Sequence, residues 1–200
     1  MQIERNATED DMVALFLRCE LTSDRWADAI RKAAVELSLR VDIISTPDTS
    51  NDDANRQRAG LLGQFRGYRQ DRDLFTDCPG DVTWHWAIIE DTDLQRLKYV
   101  DYDYWNELTG GTRRPLDAAC TVLEGEEVFG VSNQRFLRGA ECVLAGKVFE
   151  PIILVATDPT HDLVILEGHC RATAYALARN AGVRGIPAML GISAGFASWV

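Results

Sequence analysis

Within the stretch VILEGHCRATAYALA, residues 164 to 178, a carboxylate, an imidazole, a thiol and a guanidinium crowd around one glycine: Glu167, His169, Cys170 and Arg171 about Gly168. These residue types suit the capture of an anion. A planar guanidinium can fork onto phosphate or carboxylate. His169 can donate a hydrogen bond or titrate near neutrality, and Thr173 adds a hydroxyl. The run Val164-Ile165-Leu166 reads as the end of a strand, and a helical pattern opens directly after Gly168. The first amides of a helix lack carbonyl partners within it and lie at the positive end of its dipole, so such a mouth favours anions. Gly168 permits the sharp turn and lets a ligand approach the backbone. An ordinary strand–helix turn carries glycine and polar caps as well. Arg171 facing a pocket is the mark of a phosphate or carboxylate cradle; Arg171 buried against Glu167 is the mark of a structural pair.

The elements that must hold this junction lie on either side of it. PIILVAT (151–157) reads as a strand, Asp158-Pro159-Thr160 as a turn, and DLVILE (162–167) as a second strand. The helix HCRATAYALARNAG follows, and then IPAMLGIS (186–193) as a third strand. Upstream, VSNQRFLRGAECVLAG fits a helix with Ser132 as N-cap and Gly146 as stop. Pro115 opens another helix through LDAACTVLEG. The first 40 residues read as helical, with a capping box from Thr8 to Asp11 and a second helix from about Ser23 to Ser38. VDIIS (41–45) reads as a short strand, 46–58 as a polar surface loop, VTWHWAII (82–89) as a strand, and 91–108 as a helix broken near Asp101 and stopped by Gly110-Gly111. The expected fold class is α/β (α+β), with a mainly helical, aromatic-rich region over 1–120 and a compact α/β module over 121–200.

Bulk properties narrow the function. A chain of 200 residues can bury a sizeable core. No apolar stretch reaches the roughly 18 residues of a membrane span, so no membrane partner is expected. The formal net charge of -10 repels phosphate backbones and disfavours broad nucleic-acid binding, while leaving room for a small anion held by directed groups. The five cysteines, Cys19, Cys78, Cys120, Cys142 and Cys170, show no C-x-x-C pair and no zinc spacing. With an N-terminus, MQIERNATEDDM, that lacks the basic-then-apolar order of a signal peptide, they suit reduced thiols in a cytoplasm.

Other residues carry weaker signals. His85 lies between Trp84 and Trp86 on a strand, where it reads as a half-buried histidine before it reads as a ligand. Tyr102, Tyr104 and Trp105 with Asp101 and Asp103 offer a ring-lined wall or an amphipathic packing face. Arg66, Arg69 and Arg72 concentrate charge in GQFRGYRQDR, which reads as a solvated loop paired with its own aspartates before it reads as an anion or partner site.

The order FEPIILV, turn, DLVILEGHCRATAYALARNAGVRGIPAML resembles the ParB/sulfiredoxin superfamily, over about residues 125–193. That family shows a helix, a Pro-Ile-type strand, a second strand, Gly-x-x-Arg at a helix start, and a Pro-initiated strand. The resemblance implies a nucleotide-binding protein with Gly168, His169, Cys170, Arg171 and Thr173 around the phosphates. It implies a nucleoside triphosphate or diphosphate with Mg2+ as ligand. Gly168, His169 and Arg171 match the Gly-His-x-Arg version of the free-serine kinases, so a small-molecule kinase or a nucleotide hydrolase is implied, with a small-molecule acceptor in the first case. His169 would then orient or protonate phosphate, and Glu126, Glu127 or Glu167 would act as base or hold magnesium. Sulfiredoxins read Gly-Cys-His-Arg; here the thiol falls one place later, about 100° around the helix, which argues against sulfinic repair. The helix-turn-helix that follows the module in ParB proteins has no counterpart before Val200, which argues against a partition or nuclease role. The alternative is a regulatory or protein-interaction module that keeps only the fold.

Overall fold

The computed structural model describes residues 1–182 and 184–199. Its chain divides into two compact units, one of Ala7–Trp84 and one of Met1–Asn6 with His85–Val200.

The Ala7–Trp84 unit is helical: α1 (Glu9–Leu21), α2 (Ala27–Glu36), α3 (Asp42–Ser45) and α4 (Asp52–Arg66). Its first helix is fixed by the capping box expected from the sequence, with Asp11 N donating to Thr8 Oγ1 at 3.1 Å and Thr8 N to Asp11 Oδ2 at 3.0 Å. Met12 to Leu17 are all buried, so α1 is the central helix of this unit. The segment VDIIS, expected as a strand, is instead α3. The reason sits in α4: Arg58 is fully enclosed and donates to the carbonyls of Ile43 (3.0 Å) and Asp48 (2.8 Å). A buried guanidinium must find acceptors, and the 43–48 backbone curls to supply them. The expected surface loop 46–58 likewise becomes helical from Asp52, because Asn51 caps it through Ala54 N at 3.0 Å.

The second unit is built on a sheet. Its strands are β1 (Gln2–Ala7), β2 (Thr83–Ile89), β3 (Leu97–Tyr99), β4 (Ile152–Ala156), β5 (Leu163–Glu167) and β6 (Ile186–Ile192), in the order β1-β2-β6-β4-β5-β3. Its helices are α5 (Asp103–Leu108), α6 (Pro115–Leu123), α7 (Gln134–Leu144) and α8 (His169–Ala178). β4 is buried along its whole length, as a strand covered on both faces must be. It pairs antiparallel with β5 and parallel with β6, while β3 runs parallel to β5. The β4–β5 turn is tied by Thr160 N to Asp158 Oδ1 at 2.7 Å, the local side-chain bond that aspartate brings to turns. α7 and α8 approach closely: a Cβ on Gly139 would stand 2.9 Å from that of Ala174.

Three sequence expectations differ from what is seen here. The opening residues, expected as helical, form β1, whose side chains are exposed or half-buried and so carry no apolar alternation. The segment 91–108, expected as one broken helix, is a 3-10 turn (Asp91–Arg96), then β3, then α5. The boundary expected near residue 120 falls inside α6, which packs on α8; the units divide at residues 6/7 and 84/85.

Candidate functional site

The junction at Gly168 forms as the sequence suggested, with β5 ending at Glu167 and α8 beginning at His169. Gly168 adopts φ 97°, a left-handed backbone that disfavours side chains. A Cβ there would also meet Ile152 Cγ2 at 2.8 Å, so glycine is required by the packing of α8 on β4 whether or not a ligand approaches. The β4–β5 register shifts between Ile153 and Leu154, next to the carbonyls that Arg171 uses. Such irregularities re-aim neighbouring groups.

Arg171 turns back toward the sheet. It donates to the carbonyls of Glu150 (2.7 Å) and Pro151 (3.0 Å) and pairs with Glu167 one helical turn earlier. Both side chains are largely covered, 16% and 13% exposed. The guanidinium thus ties the entry of β4, the end of β5 and the first turn of α8. This is the internal pairing that marks a structural role. Thr173, expected as a phosphate donor, is fully buried: its Oγ1 donates to the His169 carbonyl at 2.9 Å and lies 2.7 Å from the Tyr99 hydroxyl. Cys170 is exposed.

His169 belongs to an aromatic stack. Its ring lies 5.3 Å from that of Trp105 at 9° and 5.9 Å from Tyr99 at 20°, while Tyr99 and Trp105 stack at 4.2 Å. Tyr104 stands edge-on to Trp105 at 4.9 Å. The β3–α5 segment therefore forms the wall beside the α8 mouth, and YVDYDYWNEL serves mainly as a packing face. Burial pushes the Tyr99 phenol far up, and Tyr104 is raised by burial against the pull of Arg135. Glu126 and Glu127 are both exposed, in the loop before α7. The Glu126 carbonyl accepts from Asn133 Nδ2 at 2.6 Å, and the Glu127 charge reaches Tyr104. Of the expected residues, then, Gly168, His169, Cys170, Arg171, Thr173 and Glu167 share the junction, and Glu126 and Glu127 lie in the exposed loop before α7.

Sequence reasoning did not single out Arg135 or Tyr99. Arg135 follows the expected N-cap region of α7 and looks like any helix-start arginine; Asn133, not Ser132, is the N-cap. The only available hint was a ring-rich segment lying upstream of a helix with an arginine in its first turn.

The other constellations resolve into packing. Trp86 lies under the Arg5 guanidinium at 4.9 Å. Arg66 lies over Trp26, Arg69 reaches Glu9 at 2.6 Å, and Arg72 reaches Asp73 and the carbonyls of Gly63 and Gln64. Among the described residues no group of three His, Cys, Asp or Glu side chains is gathered as for a metal ion, and no helix is long and apolar enough to cross a membrane. Two open grooves lie elsewhere on the sheet unit, one of about 300 Å³ beside Glu90, Asp91 and Arg184 and one of about 440 Å³ beside Asp103, Glu107 and Phe129; Arg171 lines neither. No protein-family model, no curated protein and no solved structure matches the chain, so the ParB/sulfiredoxin resemblance stands on residues 125–193 alone.

Proposed function

We propose that this chain binds a nucleotide at the mouth of α8, as a module of the ParB/sulfiredoxin type in which Arg171 braces the cradle from behind. The observation that supports this most is the β5–Gly168–α8 junction, set between an antiparallel β4–β5 hairpin and a β6 strand parallel to β4. The N-terminal turn of α8 would receive phosphate, with His169 held flat against Trp105 to orient it. Glu167 is engaged with Arg171, so in a kinase or hydrolase version the base or magnesium ligand would be Glu127 or Glu126. Phosphoryl transfer asks chiefly for positioning and charge neutralisation.

One observation favours a second reading. Arg171 spends its donors on Glu150, Pro151 and Glu167, as it would in a regulatory or protein-interaction module that keeps the fold and not the site. Calorimetric titration with ATP, ADP, CTP and GTP, each with magnesium, separates the two. Saturable heat for one nucleotide below millimolar concentration is the expected result. No heat for any of them at millimolar concentration ends the nucleotide reading and leaves the interaction module.

A further inference from the structure

Phe129 stands apart from the other aromatic residues of the sheet unit. Its ring is 69% exposed, and its backbone is left-handed, with φ 52° and ψ 29°. Val131 N closes the turn on the Val128 carbonyl at 3.0 Å, and Gly130 follows Phe129 at φ 68°. Two left-handed central residues make the kind of turn that asparagine and glycine fill. A phenylalanine there costs backbone energy, and no burial of the ring offsets that cost.

The ring borders a groove of about 440 Å³, lined also by Asp103, Asn106, Glu107, Gly110 and Gly111. All of these residues belong to the sheet unit. Asp103, Asn106 and Glu107 fall on one face of α5, three and four residues apart, while Tyr104, Trp105 and Leu108 are buried. Asp103 and Glu107 are exposed, and among the described residues neither is paired with a basic side chain. Asp28, Asp53, Asp93 and Asp162, by contrast, each have an arginine partner.

We infer that this groove is a docking surface for a basic segment of a partner protein, with an arginine or lysine side chain laid over the Phe129 ring and its charge met by Asp103 and Glu107. Charge and ring chemistry choose the occupant. A cation is attracted both to an aromatic face and to unpaired carboxylates. The net charge of -10 repels a second copy of the chain, a nucleic acid or an anionic lipid surface, and it steers a basic partner inward. α5 turns Trp105 toward His169 and this separate face toward the groove. The inference therefore does not depend on a bound nucleotide, and it gives the interaction-module reading a class of partner.

The test uses the full chain and a labelled arginine–glycine repeat peptide, with its citrulline counterpart as the neutral control and spermine as the small cation. Binding is followed by fluorescence anisotropy at low and physiological salt, and unfolding midpoints are measured alongside. Wild type is expected to bind the arginine peptide, less tightly as salt rises, and not the citrulline one. Phe129→Asn keeps the left-handed turn and removes the ring. It should weaken the arginine peptide by roughly 3- to 10-fold while leaving the midpoint unchanged or higher. Asp103→Asn/Glu107→Gln should weaken it by about 10-fold or more. Glu4→Gln/Glu141→Gln removes the same charge from exposed positions elsewhere and should weaken it by less than about 2-fold. An equal loss in the two double variants means attraction to net charge alone and overturns the docking surface. Unaltered binding in Phe129→Asn, a citrulline peptide that binds as well as the arginine one, or spermine that binds as tightly as the peptide overturns it too. A lowered midpoint in Phe129→Asn makes the ring a packing group and counts against the proposal in the same way, as does an arginine peptide that fails to bind wild type at millimolar concentration. Should the carboxylate variant unfold, Phe129→Asn alone decides.

Discussion

The Tyr99 hydroxyl and Thr173 Oγ1 meet 2.7 Å apart, both on side chains with no solvent exposure. With Thr173 donating to the His169 carbonyl, Tyr99 donates to Thr173, and a short relay runs from β3 to the first turn of α8. Tyr99→Phe should cost about 1 kcal/mol of stability, the net worth of one such bond. Thr173→Val should cost somewhat more, because it strands the tyrosine hydroxyl. Neither should change nucleotide affinity by more than a few-fold. Urea unfolding and calorimetric titration of the two variants check both statements.

Arg171→Ala should destabilise the protein by about 3 kcal/mol, since it removes two carbonyl bonds and leaves Glu167 without its guanidinium in a largely covered position. At roughly 2–4 °C per kcal/mol for a chain of this size, the melting midpoint should fall by about 6–12 °C. Arg171→Ala/Glu167→Gln should recover part of the loss, because the covered carboxylate no longer carries a charge. Thermal unfolding by circular dichroism reads this directly. An unchanged midpoint would mean that Arg171 braces nothing.

Gly168→Ala meets two penalties, the left-handed φ of 97° and the 2.8 Å approach to Ile152 Cγ2. The backbone term alone is about 1–2 kcal/mol. A Gly168→Ala/Ile152→Val double variant should relieve part of the contact term and none of the backbone term. The difference between the two unfolding free energies measures the share of each.

Asp162 gives a pH signature. Partial burial raises its pKa, but hydrogen bonds from Arg114 and Lys98 outweigh that and hold it below the usual carboxylate range. Arg114 forks onto it through two 2.9 Å contacts, and Lys98 adds a third at 3.0 Å. A carboxyl depressed in the folded state stabilises fully above its unfolded pKa of about 3.9, and that contribution is lost as pH falls through the lower, folded value. The stability gap between wild type and Asp162→Asn should therefore be constant from pH 7 to about 5 and shrink below about 4. Denaturant titrations at pH 7, 5, 4 and 3 test it; a gap that widens on acidification contradicts the assignment.

Cys170→Ser should alter nucleotide affinity by no more than a few-fold and stability by less than about 0.5 kcal/mol, because the thiol is exposed. A loss beyond tenfold, about 1.4 kcal/mol, would give the thiol a role that its position on α8 does not suggest.

What could be read in advance depended on range. Thr8 with Asp11, the apolar runs of β4 to β6 and the Gly168 break are local signals, and they correspond to elements in the structure. VDIIS could not be read as helix, because its conformation answers to Arg58, which lies 13 residues beyond the end of the segment and is enclosed in another helix. β1 was hidden for the opposite reason: its pairing uses backbone groups, and its exposed side chains leave no pattern. At the junction, residue types named the neighbourhood and could not give directions. Nothing in Glu-Gly-His-Cys-Arg says whether the guanidinium points outward or folds back on the glutamate four residues earlier, since that choice rests on two carbonyls 20 and 21 residues away.

The placement of β1 beside β2 has a consequence for biosynthesis. The two strands are neighbours in the sheet, yet about 75 residues, nearly the entire helical unit, separate them in the chain. At ordinary translation speeds of about 5–20 residues per second, β1 leaves the ribosome roughly 4 to 15 seconds before its partner exists. Helices that rely on local contacts form far faster than that. The first strand is therefore made early and used late, and its exposed, polar side chains suit it to wait in solvent without recruiting a wrong partner.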